Sequence, residues 1–493
     1  MKIDLNKNFT SLKHATLINA FSKYSTVLLS LVFSAVLARL LTPEEFGVVG
    51  VVTVFVNFFN LFADMGIGTA VIQNKELSRQ DTERIFGFTL LLGVALCAVF
   101  SACSFLMVRL YGNEVYYTVG PLLGVGLMLA TFNVVPNAHL MKNKLFVTNA
   151  VRVILSCLIG YCVAIVAALH GWKYYSIVFQ QLTAALFVLC WNLATVRLRP
   201  DFHAIGESMK KIRHFSTYQF AFNFINYFSR NLDNLLTGYY FGEAQLGYYD
   251  KAYRLMRYPV DNLTNVITPS MLPILSEHQK NINYVFEKYR TIVKLLGVIA
   301  VYISVVCFFA SKEIILLYFG SQWNGAVMSF HLLSVSLFFQ IVGGISGSIY
   351  QTVNKTKEMF ISGIIGTVIT VAGILVGISL GSIDGLALAY SVAFVLNFIK
   401  SQWFLSRFCF NQKFWRLLSM FKEELLIAAA MCAALSFVPA FDSLLLSLVV
   451  KAGAGLAVYG VMLALTREYR ALLPILPAKM RRKWEERSGN GNL

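Results

Sequence analysis

The sequence predicts an all-α polytopic membrane protein, and three observations lead to that fold class. Hydrophobic residues fill 57% of the 493 positions and charged residues only 14%, about half of the roughly 25% usual for soluble domains. Mean hydropathy is +0.64. The runs Leu90–Leu106 and Ile314–Phe339 contain no Asp, Glu, Lys or Arg, and about 20 such residues cross a bilayer as a helix. This composition excludes a soluble enzyme, a nucleic-acid binder and a disordered protein.

Apolar segments long enough to span a bilayer recur along the whole chain, separated by short polar loops. None of these loops is long enough to form a folded domain. We predict fourteen transmembrane helices, at 14–38, 46–73, 85–108, 116–140, 146–169, 174–196, 215–240, 246–274, 291–311, 326–351, 359–380, 383–406, 424–441 and 443–465.

The basic residues predict the orientation of these helices. With the N-terminus inside, the cytoplasmic segments hold 29 of the 42 Lys and Arg residues and the opposite side holds 4. Such an asymmetry favours an even number of spans with both termini in the cytoplasm. The net charge of +17 therefore indicates basic loops beside a membrane surface, with anionic lipids as partners.

An internal repeat divides the chain. Glu45-Phe46-Gly47 matches Gln245-Leu246-Gly247 at an offset of 200, and at the same offset the polar residues of span 1 align with those of span 7. We therefore predict two six-helix lobes, 1–200 and 201–412, related by a pseudo-two-fold along the membrane normal. Two additional helices at 413–466 and a basic cytoplasmic tail at 467–493 follow them.

Polar residues lie in stripes on predicted spans 1, 2, 7 and 8, and at membrane depth such stripes face one common cavity or each other because facing lipid is costly. Pairing within span 8 through its i,i+4 charges is an open alternative. The candidate lining is cationic and amide-rich, and four carboxylates accompany it. The cationic and amide residues are Lys23, Asn223, Asn226, Arg230, Asn234, Arg254 and Arg257, and the carboxylates are Asp64, Asp233, Asp250 and Asp261.

The cationic excess on these stripes favours an anionic substrate, such as a pyrophosphate or an acidic sugar. The four carboxylates would permit coupling to a proton or sodium gradient, although a purely structural role is equally open. No cofactor and no metal site are predicted: the eight cysteines form no CxxC pair, and GxxxxGK[ST] and HExxH are absent. His170, near the outer face, has no neighbouring carboxylate, so we expect no enzymatic activity.

Several short motifs resemble a known family. Ordered along the chain, they are Val36–Leu41, Phe46-Gly47, Phe62–Ile67, Ile72-Gln73, Arg230–Asn234, Leu246–Tyr253 and Phe319–Trp323. This pattern resembles Wzx-type polysaccharide flippases of the multidrug/oligosaccharidyl-lipid/polysaccharide (MOP) superfamily, nearest to the colanic-acid exporter branch, which also includes teichuronic-acid exporters. The resemblance covers about residues 15–405.

The resemblance implies a MATE-like fold of two helical bundles that works by alternating access. It also implies translocation of undecaprenyl-pyrophosphate-linked oligosaccharide across the bacterial inner membrane, for capsule, exopolysaccharide or O-antigen synthesis. A polymerase and a chain-length regulator are the implied protein partners. The alternatives are a multidrug/cation antiporter of the same superfamily and a flippase for the peptidoglycan precursor.

Overall fold

The computed structural model describes residues 12–74, 76–212, 231–276, 278–439 and 441–475, and regular structure in these ranges is helical throughout. The chain divides into two compact units, Met1–Asp250 and Lys251–Leu493. The all-α fold class is therefore confirmed, whereas the exact limits of the predicted lobes stay a prediction.

Over its described residues, the first unit contains nine helices and the N-terminal part of a tenth. They are α1 (Leu12–Leu40), α2 (Pro43–Asp64), α3 (Ile67–Gln73), α4 (Arg79–Tyr111), α5 (Tyr116–Lys142), α6 (Phe146–Leu169), α7 (Tyr175–Val196), α8 (Ile205–Lys210), α9 (described over 231–241) and α10 (Glu243–Ser276).

Local sequence signals start and stop these helices. At α2 the Thr42 hydroxyl accepts from the Glu45 N–H, and the Glu45 carboxylate accepts from the Thr42 N–H at 2.9 Å. Ser78 and Asp81 form the same capping box at α4, so donors that lack a helical partner are satisfied. Helix α4 ends at Gly112 with φ at 70°, a left-handed conformation that glycine adopts without steric cost.

Helix α5 lies at the centre of the first unit and packs against α2, α3, α4 and α7, while α1 packs on α6. Buried side chains such as Val52, Phe100 and Leu127 form the core between these helices. On α1, by contrast, Phe21 and Leu28 are 70% and 63% exposed. Exposed apolar side chains on a long apolar helix are suited to contact with lipid.

The second unit is built around α11, which contacts α13, α14, α19 and α20, while α16 pairs with α17. Short 3-10 turns and one π-helical turn link some of these helices. The helices are α11 (Ile282–Phe309), α12 (Ser311–Phe319), α13 (Val327–Ser334), α14 (Leu337–Gly343), α15 (Ser346–Thr352), α16 (Thr356–Ser379), α17 (Ile383–Phe404), α18 (Phe414–Leu418), α19 (Lys422–Ser436) and α20 (Leu444–Thr466).

Ten segments of the described chain are long and apolar enough to cross a membrane, or eleven if Ser321–Ser334 and Leu337–Thr352, bent by 51°, form one span. Three predicted spans are not among them. Segment 215–240 lies mostly outside the described residues, and 246–274 falls in the charge-bearing helix α10. Segment 424–441 falls in α19, whose 15 residues are fewer than the about 20 needed. Fourteen spans therefore stay a prediction.

Helices α2 and α10 cross in close backbone contact, within the first unit, at the residues that define the repeat. A Cβ on Gly47 would lie 1.8 Å from the Glu243 carbonyl oxygen, and one on Gly247 would lie 2.0 Å from that of Pro43. The contact is reciprocal, because the two pairs exchange under the offset of 200. Only a residue without a side chain permits such an approach, which gives the repeated glycine a physical reason.

Candidate functional site

The predicted stripe on span 7 is described only in part, because Asn223, Asn226 and Arg230 lie outside the described residues. On α9, Asp233 is 1% exposed, and its Oδ2 accepts from the Tyr249 hydroxyl at 3.2 Å. The other carboxylate oxygen of Asp233 and the Oδ1 of Asn234 are buried and have no hydrogen-bond partner among the described residues. This end of the stripe therefore presents unsatisfied acceptors.

The charges on α10 are partly paired with each other. The Arg257 guanidinium contacts the Asp261 carboxylate through two hydrogen bonds, of 2.6 and 3.3 Å. Arg254 is exposed and Asp250 is half-buried, and both make further interactions. The structure thus supports the pairing interpretation for Arg257 and Asp261.

Lys251 connects two of the sequence motifs. Its side chain is only 7% exposed, and its Nζ lies 5.5 Å from the ring centre of Phe319 and 5.8 Å from that of Trp323. Cations are attracted to aromatic faces at these distances. The motif around Lys251 and the motif Phe319–Trp323, separate in sequence, therefore form one contact in the second unit.

Lys23 and Asp64, from predicted spans 1 and 2, are placed in different surroundings. Lys23 is exposed on α1. Asp64 ends α2, and the backbone N–H groups of Gly66 and Gly68 hydrogen-bond its carboxylate. Because Arg230 is not described, the expectation that spans 1, 2, 7 and 8 line one cavity stays a prediction.

Asp64 lines a cavity of about 550 Å³ inside the first unit, within the about 300–1,000 Å³ typical of ligand pockets. Its walls come from α2, α3, α5, α6 and α7. The polar side chains on these walls are Asp64, Thr69, Asn133, Asn137 and Arg152. One carboxylate and one guanidinium therefore face the same space, and no ion pair joins them within the described chain.

Arg152 is 4% exposed, and asparagine side chains from three helices hold it. Its Nη2 donates to the Oδ1 atoms of Asn137, at 3.0 Å, and of Asn149, and its Nη1 donates to that of Asn192. The Nδ2 of Asn192 in turn donates to the Oδ1 of Asn133 at 2.9 Å. This amide network ties α5, α6 and α7 together around one buried cation.

Arg152 was not among the site residues predicted from the sequence. The available signal was four asparagines inside apolar spans, at positions 133, 137, 149 and 192. They lie on three different helices, so only the packed lobe shows that they converge on one guanidinium.

Lys294 illustrates the other way in which this chain buries a cation. Its Nζ contacts the carboxylates of Glu423, Glu424 and Glu468 at 2.9, 3.1 and 2.9 Å. The acidic side chains that surround this lysine come from α19 and from the segment after α20. This cluster is internally paired and joins three helical elements of the second unit.

Comparison with known proteins places the chain among polysaccharide-related membrane proteins. A family model described as "Polysaccharide biosynthesis protein" matches residues 36–328. Teichuronic acid biosynthesis protein TuaB of Bacillus subtilis (strain 168) is 22% identical over 78% of this chain and 80% of the relative. Lipopolysaccharide biosynthesis protein WzxC of Escherichia coli (strain K12) is 24% identical over 79% of this chain and 81% of the relative.

The fold also matches a solved structure. Lipid II flippase MurJ in an inward closed conformation superposes with a TM-score of 0.70 at 15% identity, covering 93% of this chain and 99% of that one. At this identity the likeness shows the fold alone. The resemblance stated from the sequence motifs is confirmed by the family match over residues 36–328.

Proposed function

The chain belongs to the polysaccharide biosynthesis protein family, and we propose from this premise that it flips undecaprenyl-pyrophosphate-linked oligosaccharides. It is a multi-pass membrane transporter of the MOP fold and not an enzyme. In the proposal, the cargo moves from the cytoplasmic to the periplasmic leaflet of the bacterial inner membrane, for capsule, exopolysaccharide or O-antigen synthesis. Both termini lie in the cytoplasm.

The observation that carries this proposal is the agreement between the family match over residues 36–328 and the MOP fold over 93% of the chain. A lipid-linked oligosaccharide combines an apolar tail with an anionic and polar head. Apolar outer faces beside cations and amides within the spans provide both environments. A polymerase, a chain-length regulator and anionic lipids are the proposed partners.

Alternating access would use the predicted polar lining, and the cations Lys23, Arg230 and Arg254 are its candidate contacts to the pyrophosphate. The carboxylates Asp64, Asp233 and Asp250 are the candidates for coupling to a proton or sodium gradient, whereas Arg257 and Asp261 pair with each other. A guanidinium binds phosphate oxygens through two parallel hydrogen bonds, which an ammonium cannot reproduce.

The function is tested by deleting the gene and restoring it. We expect deletion to abolish polymer at the cell surface while lipid-linked repeat units accumulate on the cytoplasmic side, and the wild-type gene to reverse both effects. Continued export without the gene, in a host that holds no second exporter, would overturn the proposal.

Transport of the peptidoglycan precursor is a second candidate function, because the fold of this chain matches 99% of the MurJ chain. The two candidates are separated by complementation in two hosts, one lacking its polysaccharide flippase and one depleted of its lipid II flippase. We expect rescue of the first host only. Rescue of growth in the second host would favour the peptidoglycan precursor as cargo.

Arg230 provides a test within the predicted lining. Arg230→Ala should abolish surface polymer at normal membrane abundance, and Arg230→Lys should keep partial export, because charge is retained and the bidentate geometry is lost. If Arg230 serves only to neutralise Asp233, removing both charges should restore export, since no unpaired buried charge would remain. Restoration in the double variant would thus contradict a role in binding cargo.

A further inference from the structure

The cavity of the first unit is lined by a buried cation that is not among the predicted lining residues. Arg152, on α6, lines this space of about 550 Å³ together with Asp64. The site is formed by helices of one unit, and all of its wall residues are among those that the structure describes. It shares Asp64 with the predicted stripe on span 2 and contains no residue of the stripes on spans 1, 7 and 8.

The neighbours of Arg152 are polar but neutral. Its three hydrogen-bond partners are the side-chain amides of Asn137, Asn149 and Asn192, and no carboxylate of the described residues lies within ion-pair distance. Amide oxygens orient a guanidinium but leave its charge uncompensated, and a buried charge without a counter-ion is costly. Lys294, with three carboxylates, shows how the same chain neutralises a cation that serves packing alone.

The guanidinium also has donors to spare. Arginine carries five N–H donors in a planar fork, of which the three amides engage three. Within the part of the chain that the structure describes, the buried Nε of Arg152 has no hydrogen-bond partner. An oxyanion in the cavity would supply both the missing acceptor and the missing negative charge, and diphosphate groups match guanidinium geometry.

We propose that this cavity binds an anionic diphosphate group, with Arg152 as its principal contact and Asn133 and Asn137 as polar neighbours. The proposal rests on the proposed function only for the source of that group, the head of a lipid-linked oligosaccharide. Asp64, on the same cavity wall, repels the bound anion and keeps its affinity low enough for release. Its carboxylate is held in place by the Gly66 and Gly68 N–H groups.

The test measures binding by the purified full-length protein in lipid nanodiscs. Its thermal unfolding temperature is recorded against increasing inorganic diphosphate, undecaprenyl diphosphate and, as the tail control, undecaprenol. The variants are Arg152→Gln, Arg152→Lys and Asp64→Asn, and Arg109→Gln, at an exposed arginine of α4, is the matched control.

We expect a diphosphate-dependent rise in unfolding temperature for the wild type and Arg109→Gln. Arg152→Gln should lose about tenfold or more in apparent affinity, because a charge-assisted hydrogen bond is removed, and Arg152→Lys should lie between. Asp64→Asn should bind several-fold more tightly. Stabilisation by undecaprenyl diphosphate identifies the lipid head as the source, and stabilisation by the inorganic ion alone identifies a free anion.

The proposal is overturned if neither diphosphate compound stabilises the wild type, or if Arg152→Gln responds as the wild type does. Should Arg152→Gln fail to fold, Asp64→Asn decides, because an unchanged affinity in that variant places the anion elsewhere. Normal polymer export in the gene-restoration experiment alongside a negative binding result would reject this site and leave the proposed function intact.

Discussion

At the scale of single residues, the chain holds its intramembrane cations in two ways, by carboxylates or by neutral amides. Arg257 pairs with Asp261 on its own helix, and Lys294 is surrounded by three carboxylates. Arg152 is contacted, among the described side chains, only by neutral amides. Because a paired charge can serve packing alone, whereas an uncompensated one is costly to retain, Arg152 is the described cation that most clearly indicates a ligand.

The Arg257–Asp261 pair is expected to contribute little to stability. Both side chains are partly exposed, at 36% and 46%, so solvent screens their attraction and a double-mutant cycle should give a coupling of about 0.5 kcal/mol. We expect Arg257→Gln combined with Asp261→Asn to keep export, measured as surface polymer. Loss of export in the double variant at normal abundance would show that these charges contact cargo.

At the scale of helices, the crossing of α2 and α10 depends on two glycines at equivalent places in the repeat. The helix starts are fixed locally, by the Thr42–Glu45 capping box for α2. The crossing itself depends on the backbone approach at Gly47 and Gly247. A local signal thus determines where α2 begins, and the repeated glycine determines how closely α2 and α10 can pack.

Gly47→Ala is expected to destabilise the protein, because the new methyl group would overlap the Glu243 carbonyl and the helices would have to separate. Overpacking of this kind costs about 1–3 kcal/mol. The measurement is thermal unfolding of the purified protein in detergent. Gly363→Ala is the matched control, since a Cβ there meets no atom within 4 Å. Equal unfolding temperatures for the two variants would contradict the close crossing.

At the scale of the whole molecule, the distribution of basic residues determines the orientation in the membrane. The predicted cytoplasmic segments hold 29 Lys and Arg residues against 4 on the other side. Positively charged loops are retained in the cytoplasm during insertion. The charge asymmetry depends on the alternation of all spans. The side on which the C-terminus lies therefore also tests the predicted number of spans.

A reporter that is active only in the periplasm should therefore stay inactive when fused after Asn490. The same reporter inserted at Gly171, in the loop between α6 and α7, should be active. The measurement is reporter activity normalised to membrane abundance. Activity at Asn490 would show that the number of spans is odd and that the predicted orientation of the C-terminus is wrong.

The sequence by itself determined the fold class, the family and the repeat. Apolar runs of bilayer length can satisfy their backbone only as helices, and this requirement does not depend on packing. The Glu45–Gly47 motif and its copy at 245–247 showed the internal repeat. The glycine of each copy is needed because the backbones of α2 and α10 approach closely there. These properties are periodic or local, and a linear pattern shows them directly.

Only the tertiary structure decided which polar residues meet. Asn137, Asn149 and Asn192 lie on different helices, and their convergence on Arg152 depends on how α5, α6 and α7 rotate and pack. A helical stripe gives the face of one helix, but not the neighbour that covers it. On α10 the sequence left cavity lining and pairing open, and the structure shows the Arg257–Asp261 pair, because the choice between a partner and a cavity is made by packing.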